Sequence, residues 1–261
     1  MEIPFQSGPA CARCGDTLDR PESLINPASA SLCRACRLAP PAFVRAVAFG
    51  LYQDRMKGAI HALKYDRLFP AARGLGRLLA QTIAQLAVEA PAEMLVIPVP
   101  LHRSKYAERG FNQARSLAVN ALGFLRKSHP AWRLTLAPRT LMRLRATESQ
   151  AGLTLRERRL NVRGAFTVSD PAAVASKHIL LIDDIFTTGA TVRAASQALI
   201  RAGAASVWVA TLARARRISG RRYAPTDKAE GDGLAAYAGA AGTQHESNFS
   251  SQDKSSFFAR G

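Results

Sequence analysis

Two adjacent carboxylates precede a segment suited to binding an anion in residues 179–191, ILLIDDIFTTGAT. Asp183 and Asp184 follow an all-apolar run, and ligands of open parallel sheets bind outside the carboxyl ends of the strands. Because successive strand side chains point to opposite faces, the two carboxylates are not expected to form a side-by-side acid/base pair. Their oxygens suit the two hydroxyls of a diol or a hydrated magnesium ion.

The residues that follow predict a phosphate site. A run rich in threonine opens a helix, so that backbone N–H groups, hydroxyls and a helix N-terminus are available to one anion. The run comprises Thr187, Thr188, Gly189, Ala190 and Thr191. Gly189 lets the backbone come close to the phosphate. A diol or metal site beside a monophosphate site predicts a ribose 5-phosphate as the ligand.

Two other interpretations of this stretch exist. A strand that ends in two aspartates also resembles the Walker B element of nucleoside triphosphatases. That interpretation requires a G-x-x-x-x-G-K-[ST] loop, which the sequence lacks. Alternatively, Asp184 and Thr188 make only turn and capping contacts. Capping accounts for one threonine but not for the whole run.

The four cysteines predict a structural zinc site. They form two C-x2-C pairs separated by 18 residues: Cys11, Cys14, Cys33 and Cys36. Four thiolates close a tetrahedral zinc site and leave no open position for catalysis. A redox pair, or two disulfides in a secreted chain, are the alternatives. Loss of zinc is expected to unfold this ribbon and to leave the rest of the fold largely intact.

Two basic segments are candidates for contacts with anions. Arg103, Lys105 and Arg109 follow the PVP at 98–100, where cations would bind pyrophosphate; the alternative is a solvated basic loop. In the second segment Thr147 and Gln150 lie between basic residues, which are Arg143, Arg145 and Arg158. It is interpreted as a flap over the ligand, part of a nucleic-acid groove, or only an exposed loop.

The elements that would position these residues alternate between strand and helix. Strands are predicted at 43–52, 94–99, 179–182 and 206–211, and helices at 54–65, 72–88, 111–125 and about 190–202. Apolar strands with no polar face are typical of a sheet covered on both sides. The fold class is therefore α/β, a doubly wound parallel sheet flanked by helices.

Composition sets the remaining expectations. Three segments are predicted: a zinc ribbon at 1–40, an α/β domain at 41–213, and a tail at 214–261 that is rich in Gly, Ala and Ser and is expected to be disordered. No run is long enough for a membrane span and no export signal begins the chain, so a cytoplasmic location is predicted. The net charge of +17 favours polyanionic partners, either nucleic acid or a phosphate-rich small molecule.

These motifs together resemble the ComF (competence protein F) family, which is amidophosphoribosyltransferase-like. ILLIDDIFTTGAT is similar to the phosphoribosyl pyrophosphate (PRPP) motif of type I phosphoribosyltransferases, and it occurs here with the cysteine ribbon and three further motifs: LKYDR (63–67), PVPLHRSKYAERGFNQA (98–114) and RLRATESQAGLTLRERRLNVRGAF (143–166). The resemblance covers about residues 11–213. It implies that the catalytic Asp183 and Asp184 contact the ribose hydroxyls and magnesium, and that residues 187–191 hold the 5-phosphate.

Two functions are compatible with this resemblance. As an enzyme, the protein would use PRPP and magnesium to transfer the phosphoribosyl group to an acceptor. As a binding module, it would keep the PRPP site as a sensor or a relic and handle single-stranded DNA beside DNA-uptake proteins in competence. The net charge suits the second function, but aromatic residues for base stacking are only 7% of the chain.

Overall fold

The computed structural model of the chain describes residues 9–18, 31–65, 69–145, 164–215, 217–218 and 221–222. All of them belong to a compact unit, Met1–Pro225, and the segment Thr226–Gly261 forms a second unit. Most of the tail at 214–261, and with it the expectation of disorder, lies outside the described residues. So do Thr147, Gln150 and Arg158 of the second basic segment.

The described elements alternate between helix and strand along most of the chain. The helices are α1 (Arg34–Leu38), α2 (Asp54–Tyr65), α3 (Phe69–Ala84), α4 (Arg103–Arg109), α5 (Gln113–Ser128) and α6 (Ala190–Arg201). The strands are β1 (Arg45–Leu51), β2 (Glu93–Pro98), β3 (Arg133–Leu136), β4 (Leu141–Arg143), β5 (Phe166–Val168), β6 (His178–Phe186), β7 (Ser206–Arg214), β8 (Arg217–Ile218) and β9 (Arg221–Arg222). The predicted α/β class is confirmed.

Five strands form one parallel sheet in the order β1-β7-β6-β2-β3. The central strand, β6, is apolar and buried on both faces, as a parallel sheet between two helical layers requires. Alternation divides its side chains: Leu180 and Ile182 pack with α2, α3 and α5, whereas Ile179 and Leu181 pack on the opposite face with α6. β6 therefore holds both layers together.

The helices follow their apolar stripes. α5 begins at Asn112, whose side chain accepts the Arg115 N–H at 3.1 Å. Its buried face is made of residues three or four apart, which are Leu117, Ala118, Ala121, Leu122 and Leu125. Gly76 allows α3 to lie against α5, because a Cβ at that position would be 2.3 Å from the Cβ of Asn120. Within the described ranges, no helix combines the length and the apolarity needed to span a bilayer.

The structure differs from the predicted elements in several places, of which three bear on the site. The strand predicted at 179–182 continues to Phe186, because its pairing with β7 runs through Asp183 opposite Thr211. The basic residues after PVP lie on the short helix α4, where His102 accepts the Ser104 N–H at 3.3 Å. β3 and the antiparallel pair β4 and β5 were not predicted.

Candidate functional site

The two aspartates lie near the carboxyl end of β6, at the centre of the sheet. Asp183 is 8% exposed and Asp184 is 5% exposed. The neighbouring strand β2 ends at the same edge, where the Val99 N–H donates to the Ile182 carbonyl at 2.8 Å. The edge predicted to bind the ligand therefore contains buried carboxylates.

Asp184 is paired with a lysine from α2. Nζ of Lys64 is 2.6 Å from Oδ2 of Asp184, and both side chains are largely buried. Burial alone would raise the pKa of the Asp184 carboxyl, but the charge of Lys64 and the hydrogen bonds to Asp184 together outweigh burial and lower the pKa. Burial would likewise lower the pKa of Lys64, but Asp184 raises it. Both groups are therefore charged, and each stabilises the other.

Asp183 has the opposite tendency. Burial, together with the negative charge of Asp184, raises the pKa of the Asp183 carboxyl well above its ordinary value. Oδ1 of Asp183 accepts the Asp184 backbone N–H at 2.9 Å. Arg143 of β4, which is half-buried, acts electrostatically on Asp183, whereas Lys64 of α2 contacts Asp184.

Arg109 joins the carboxylates to the first basic segment. Its Nη1 donates to Gln113 at 3.2 Å and its Nη2 to the Tyr65 hydroxyl at 3.3 Å. The guanidinium lies 5.1 Å from the centre of the Tyr65 ring, and its charge helps to lower the pKa of Asp184. Nε of Arg109 is buried and has no hydrogen-bond partner among the described residues.

The other basic residues divide between the neighbourhood of the carboxylates and the exposed surface. Arg103 and Lys105 are exposed on α4, and Lys105 pairs with Glu108 at 3.2 Å. Arg143 contacts the Phe166 ring at 5.4 Å, and Arg145 is exposed at the edge of the described range. The structure therefore separates Arg109 and Arg143, near the carboxylates, from the exposed cations.

The threonine-rich run connects β6 directly to α6. Gly189 occupies the N-cap position of α6 and supplies no side-chain cap, while Thr188 accepts the Ala190 N–H at 3.2 Å. Thr187, Thr188 and Thr191 are partly exposed. The first turn of a 12-residue helix therefore starts next to the carboxylates without an acidic residue, which leaves its positive end available to an anion.

Gly189 is required for a reason that the sequence alone does not reveal. Its φ is 74°, in the left-handed region, and a Cβ there would be 2.6 Å from Cζ of Phe186. The ring of Phe186, at the end of β6, thus lies directly against the glycine that begins α6. The turn between strand and helix is fixed by this close contact.

The four cysteines converge as their spacing predicts. Their sulfurs all lie within 4.8 Å of one another, and the thiols are free and buried. Tetrahedral Zn–S bonds of about 2.3 Å place sulfurs about 3.8 Å apart, and Cys14 and Cys33 are 3.6 Å apart. A hydrogen bond with Cys11, together with burial, raises the pKa of the Cys36 thiol to about 12. The donor set therefore fits zinc, and a cation would be needed to keep it deprotonated.

The cysteine site shares an apolar cluster with the parallel sheet and α6. All four cysteines belong to the apolar cluster that also contains Phe43, Phe186 and Val192. The Ala46 N–H of β1 donates to the Arg13 carbonyl at 2.8 Å, which ties the first cysteine turn to the sheet. The same side chains also cover the sheet. Loss of zinc is therefore expected to disturb the α/β core as well as the ribbon, unlike the expectation from the sequence.

Lys64, Tyr65 and Gln113 had no assigned role in the sequence interpretation. A signal for Lys64 is present, since Met56, Ile60 and Lys64 recur every four residues and the first two are buried. A lysine on an apolar helix stripe predicts a buried partner of opposite charge. Tyr65 and Gln113 lie within quoted motifs, but nothing in their spacing singles them out.

The chain is similar to one family model and to several named proteins. The family model described as "Phosphoribosyl transferase domain" matches residues 118–230. "DNA utilization protein YhgH" of Salmonella typhi is 34% identical over 184 residues, which is 70% of this chain and 77% of that protein. "Competence protein F" of Haemophilus influenzae is 28% identical over 214 residues, covering 81% and 87%. "Competence protein ComFC" of Streptococcus pneumoniae is 29% identical over 212 residues, covering 78% and 87%.

Among solved structures, the chain resembles hypoxanthine-guanine phosphoribosyltransferase from Schistosoma mansoni in complex with IMP. The identity is 16%, the TM-score is 0.35, and the match covers 59% of this chain and 60% of that one. A likeness at this level adds nothing to the relationships in sequence.

Proposed function

Because the chain belongs to the family of DNA utilization protein YhgH and competence protein F, and carries a phosphoribosyltransferase-type domain, we propose that it is a PRPP-dependent phosphoribosyltransferase acting with magnesium. In the reaction, the bond between the anomeric carbon and pyrophosphate breaks. A bond to the acceptor nucleophile forms, and the acceptor loses a proton. The acceptor belongs to the nucleophiles used by the family's fold, such as an amine, a base or an amide nitrogen.

One observation carries this proposal: a buried carboxylate pair and a helix N-terminus without an acidic residue are consecutive in the chain. Asp183 and Asp184 end the central strand, and α6 begins after a turn of three residues. The carboxylates would bind the ribose hydroxyls, while residues 187–191 would hold the 5-phosphate through backbone N–H groups and hydroxyls. A ribose 5-phosphate has both groups in one molecule.

Arg109 is the cation best placed to act on pyrophosphate. Its charge helps to lower the pKa of Asp184, and its guanidinium is held in place by Gln113 and Tyr65. Arg143 lies on the other side, near Asp183. As the leaving group departs, negative charge grows on pyrophosphate, and fixed guanidinium groups stabilise that charge. Arg103 and Lys105 are exposed in the described structure. We propose that they contact PRPP in the complex.

Magnesium fits the donor type at this site, since carboxylate oxygens are the ligands it prefers. When bound, it would neutralise charge on the pyrophosphate. The Lys64 ammonium contacts Oδ2 of Asp184, so a metal held by that oxygen requires the lysine to move. The raised pKa of Asp183 means that this carboxyl must also release a proton before it can bind a cation. Magnesium could therefore bind these carboxylates only after Lys64 has moved and Asp183 has lost its proton.

The test is thermal stabilisation by PRPP with magnesium. A ligand present at 100 times its Kd stabilises the native state by about 2.7 kcal/mol, which raises the melting temperature. Asp183→Asn should abolish the shift and keep the fold, because the buried Asp183 carboxyl is already predominantly neutral and asparagine has its shape. Release of pyrophosphate is then measured over candidate acceptors.

The matched control is Glu93→Gln, an exposed carboxylate at the start of β2 and hence at the other edge of the sheet. It should respond to PRPP as the parent does. A full response from Asp183→Asn would show that PRPP binds elsewhere. PRPP binding without pyrophosphate release with any acceptor would favour the second function.

That second function is a binding module for single-stranded DNA. It is favoured by the net charge of +17 and by the exposed cations on α4. The names of the relatives refer to DNA utilization and competence, and we extend that role to this chain, with DNA-uptake proteins as partners. We also propose structural zinc in the ribbon at 1–40, a transferase domain at 41–213, a disordered tail beyond it, and a cytoplasmic location.

A further inference from the structure

The cysteine site contacts the helix that begins at the phosphate loop, residues 187–191. Arg193, in the first turn of α6, donates through Nη2 to Sγ of Cys36 at 3.7 Å and through Nη1 to the Ala39 carbonyl at 2.8 Å. Its backbone N–H donates to the Gly189 carbonyl at 2.9 Å. One residue therefore connects a cysteine sulfur to the glycine of the loop.

A second connection reaches the loop through Phe186, the last residue of the strand that precedes it. The guanidinium of Arg214, at the end of β7, lies 4.0 Å from the centre of the Phe186 ring. A Cβ at Gly15, in the first cysteine turn, would be 3.6 Å from Nη2 of the same arginine. Phe186 in turn lies against Gly189. The cysteine site thus touches the residues on both sides of the loop.

The positive charges of Arg193 and Arg214 complement the negative charge of a zinc ion held by four thiolates. A zinc ion held by four thiolates has a net charge of about −2. Arg193 and Arg214 bring two guanidinium groups to this cluster, and hydrogen bonds of this kind to coordinating groups orient them and tune the metal.

We propose that the zinc-loaded cysteine site positions the phosphate loop, so that zinc binding and phosphate binding are thermodynamically coupled. Arg193 and Arg214 are the positioning residues, and zinc raises phosphate affinity because the first turn of α6 is already fixed when the ligand arrives. The coupling is reciprocal, so ligand must strengthen zinc binding by the same factor. This inference rests on the proposed function, in that the ligand is a ribose 5-phosphate group.

The test uses full-length protein in which cobalt(II) replaces zinc, since thiolate-to-cobalt absorption reports on the cysteine sulfurs. Ribose 5-phosphate should shift these bands in the parent protein. Arg193→Ala should remove the shift and weaken ribose 5-phosphate binding by roughly tenfold in calorimetry, the size found when a partner of a metal ligand is lost. Arg201→Ala, an exposed arginine in the last turn of the same helix, should match the parent.

A chelator competition measures the zinc affinity of the parent protein, so its result does not depend on whether a variant folds. Zinc affinity should be higher with saturating ribose 5-phosphate than without it. Calorimetric binding with unchanged cobalt bands and unchanged zinc affinity would overturn the coupling and leave the proposed function standing. Absence of ribose 5-phosphate binding in the zinc-loaded parent would overturn the proposed function and the coupling with it.

Discussion

Lys64 and Asp184 are charged residues whose side chains are 17% and 7% exposed, and they meet at 2.6 Å. Removing a buried charge from water has a large free-energy cost, which the opposite charge offsets only while both are present. The pair is therefore expected to be sensitive to the loss of one member and tolerant of the loss of both.

Lys64→Met should lower the free energy of unfolding by about 3 kcal/mol, because it leaves the Asp184 carboxylate buried without its cation. The double variant Lys64→Met with Asp184→Asn should recover most of this loss. Urea unfolding of the parent, both single variants and the double variant measures the coupling. Additive losses in the double variant would contradict a direct pair.

The single variant also reports on magnesium. If Lys64 competes with a cation at Asp184, then Lys64→Met should be stabilised more by magnesium than the parent is. Equal stabilisation by magnesium in the two proteins would mean that the metal does not use the Asp184 oxygen.

Asp183 should make stability depend on pH. Its pKa is raised in the folded protein, so the native state holds a proton that the unfolded chain releases above about pH 4. The proton on Asp183 therefore stabilises the native state fully below about pH 4, and this stabilisation is lost as the pH rises through the pKa of Asp183 in the folded protein. Asp183→Asn should thus be more stable than the parent at pH 8, and this advantage should be much smaller at pH 4. Urea unfolding at both pH values tests this, and a constant difference would contradict it.

At the scale of elements, the junction of β6 and α6 depends on one glycine. Gly189→Ala should destabilise the protein by about 1–3 kcal/mol, because the left-handed φ is strained for alanine and the Cβ meets Phe186. It should also weaken phosphate binding. Gly123→Ala is the matched control: Gly123 lies inside α5 with no atom within 4 Å of an added Cβ, so alanine should stabilise by about 0.5–1 kcal/mol. Thermal unfolding compares the two, and equal effects would contradict the steric argument.

Elements with a strong periodic pattern were predictable from the sequence. β2, β6 and β7 are apolar runs of strand length, and α2, α3, α5 and α6 have apolar stripes. β3 has only four residues and an exposed alternate face, and β4 and β5 have three residues each. Their pairing depends on contacts distant in sequence, such as the Trp132 indole donating to the Pro91 carbonyl beside β3 at 2.8 Å. Such contacts leave no local pattern.

The same limit applies to the site. The carboxylates, the threonine run and the cysteines were identifiable because their residue types and spacing are specific. Lys64 and Arg143 come from separate elements, α2 and β4, and only the fold brings them to Asp184 and Asp183. The role of the Phe186 ring beneath Gly189 is also a product of packing.

At the scale of the whole molecule, the charge of +17 separates the two functions. If exposed cations bind single-stranded DNA, log affinity should fall with log salt concentration by about 0.7 per phosphate contacted. Arg103→Ala with Lys105→Ala should then reduce the slope by roughly 1.4. Arg143→Ala should instead weaken PRPP binding and leave the slope unchanged, because Arg143 lies against Phe166 near Asp183.

Fluorescence titration of a labelled oligonucleotide at several salt concentrations provides the slopes, and the PRPP melting shift is measured on the same variants. A reduced slope in Arg143→Ala would place the DNA groove over the second basic segment. Unchanged slopes in both variants would remove α4 and Arg143 from the DNA surface.

The pairing of β1 with β7 has a consequence for biosynthesis. Arg45 lies opposite Trp208, so the strand made first in the sheet waits for the one made last. The cysteines leave the ribosome earlier still, although the side chains that bury them include Val192 and Phe186. A nascent chain stalled before residue 206 has an unpaired edge on both β1 and β6, and such edges favour association with other chains. Folding of this unit is therefore completed after nearly all of it has been synthesised, at the slow rate typical of long-range parallel pairing.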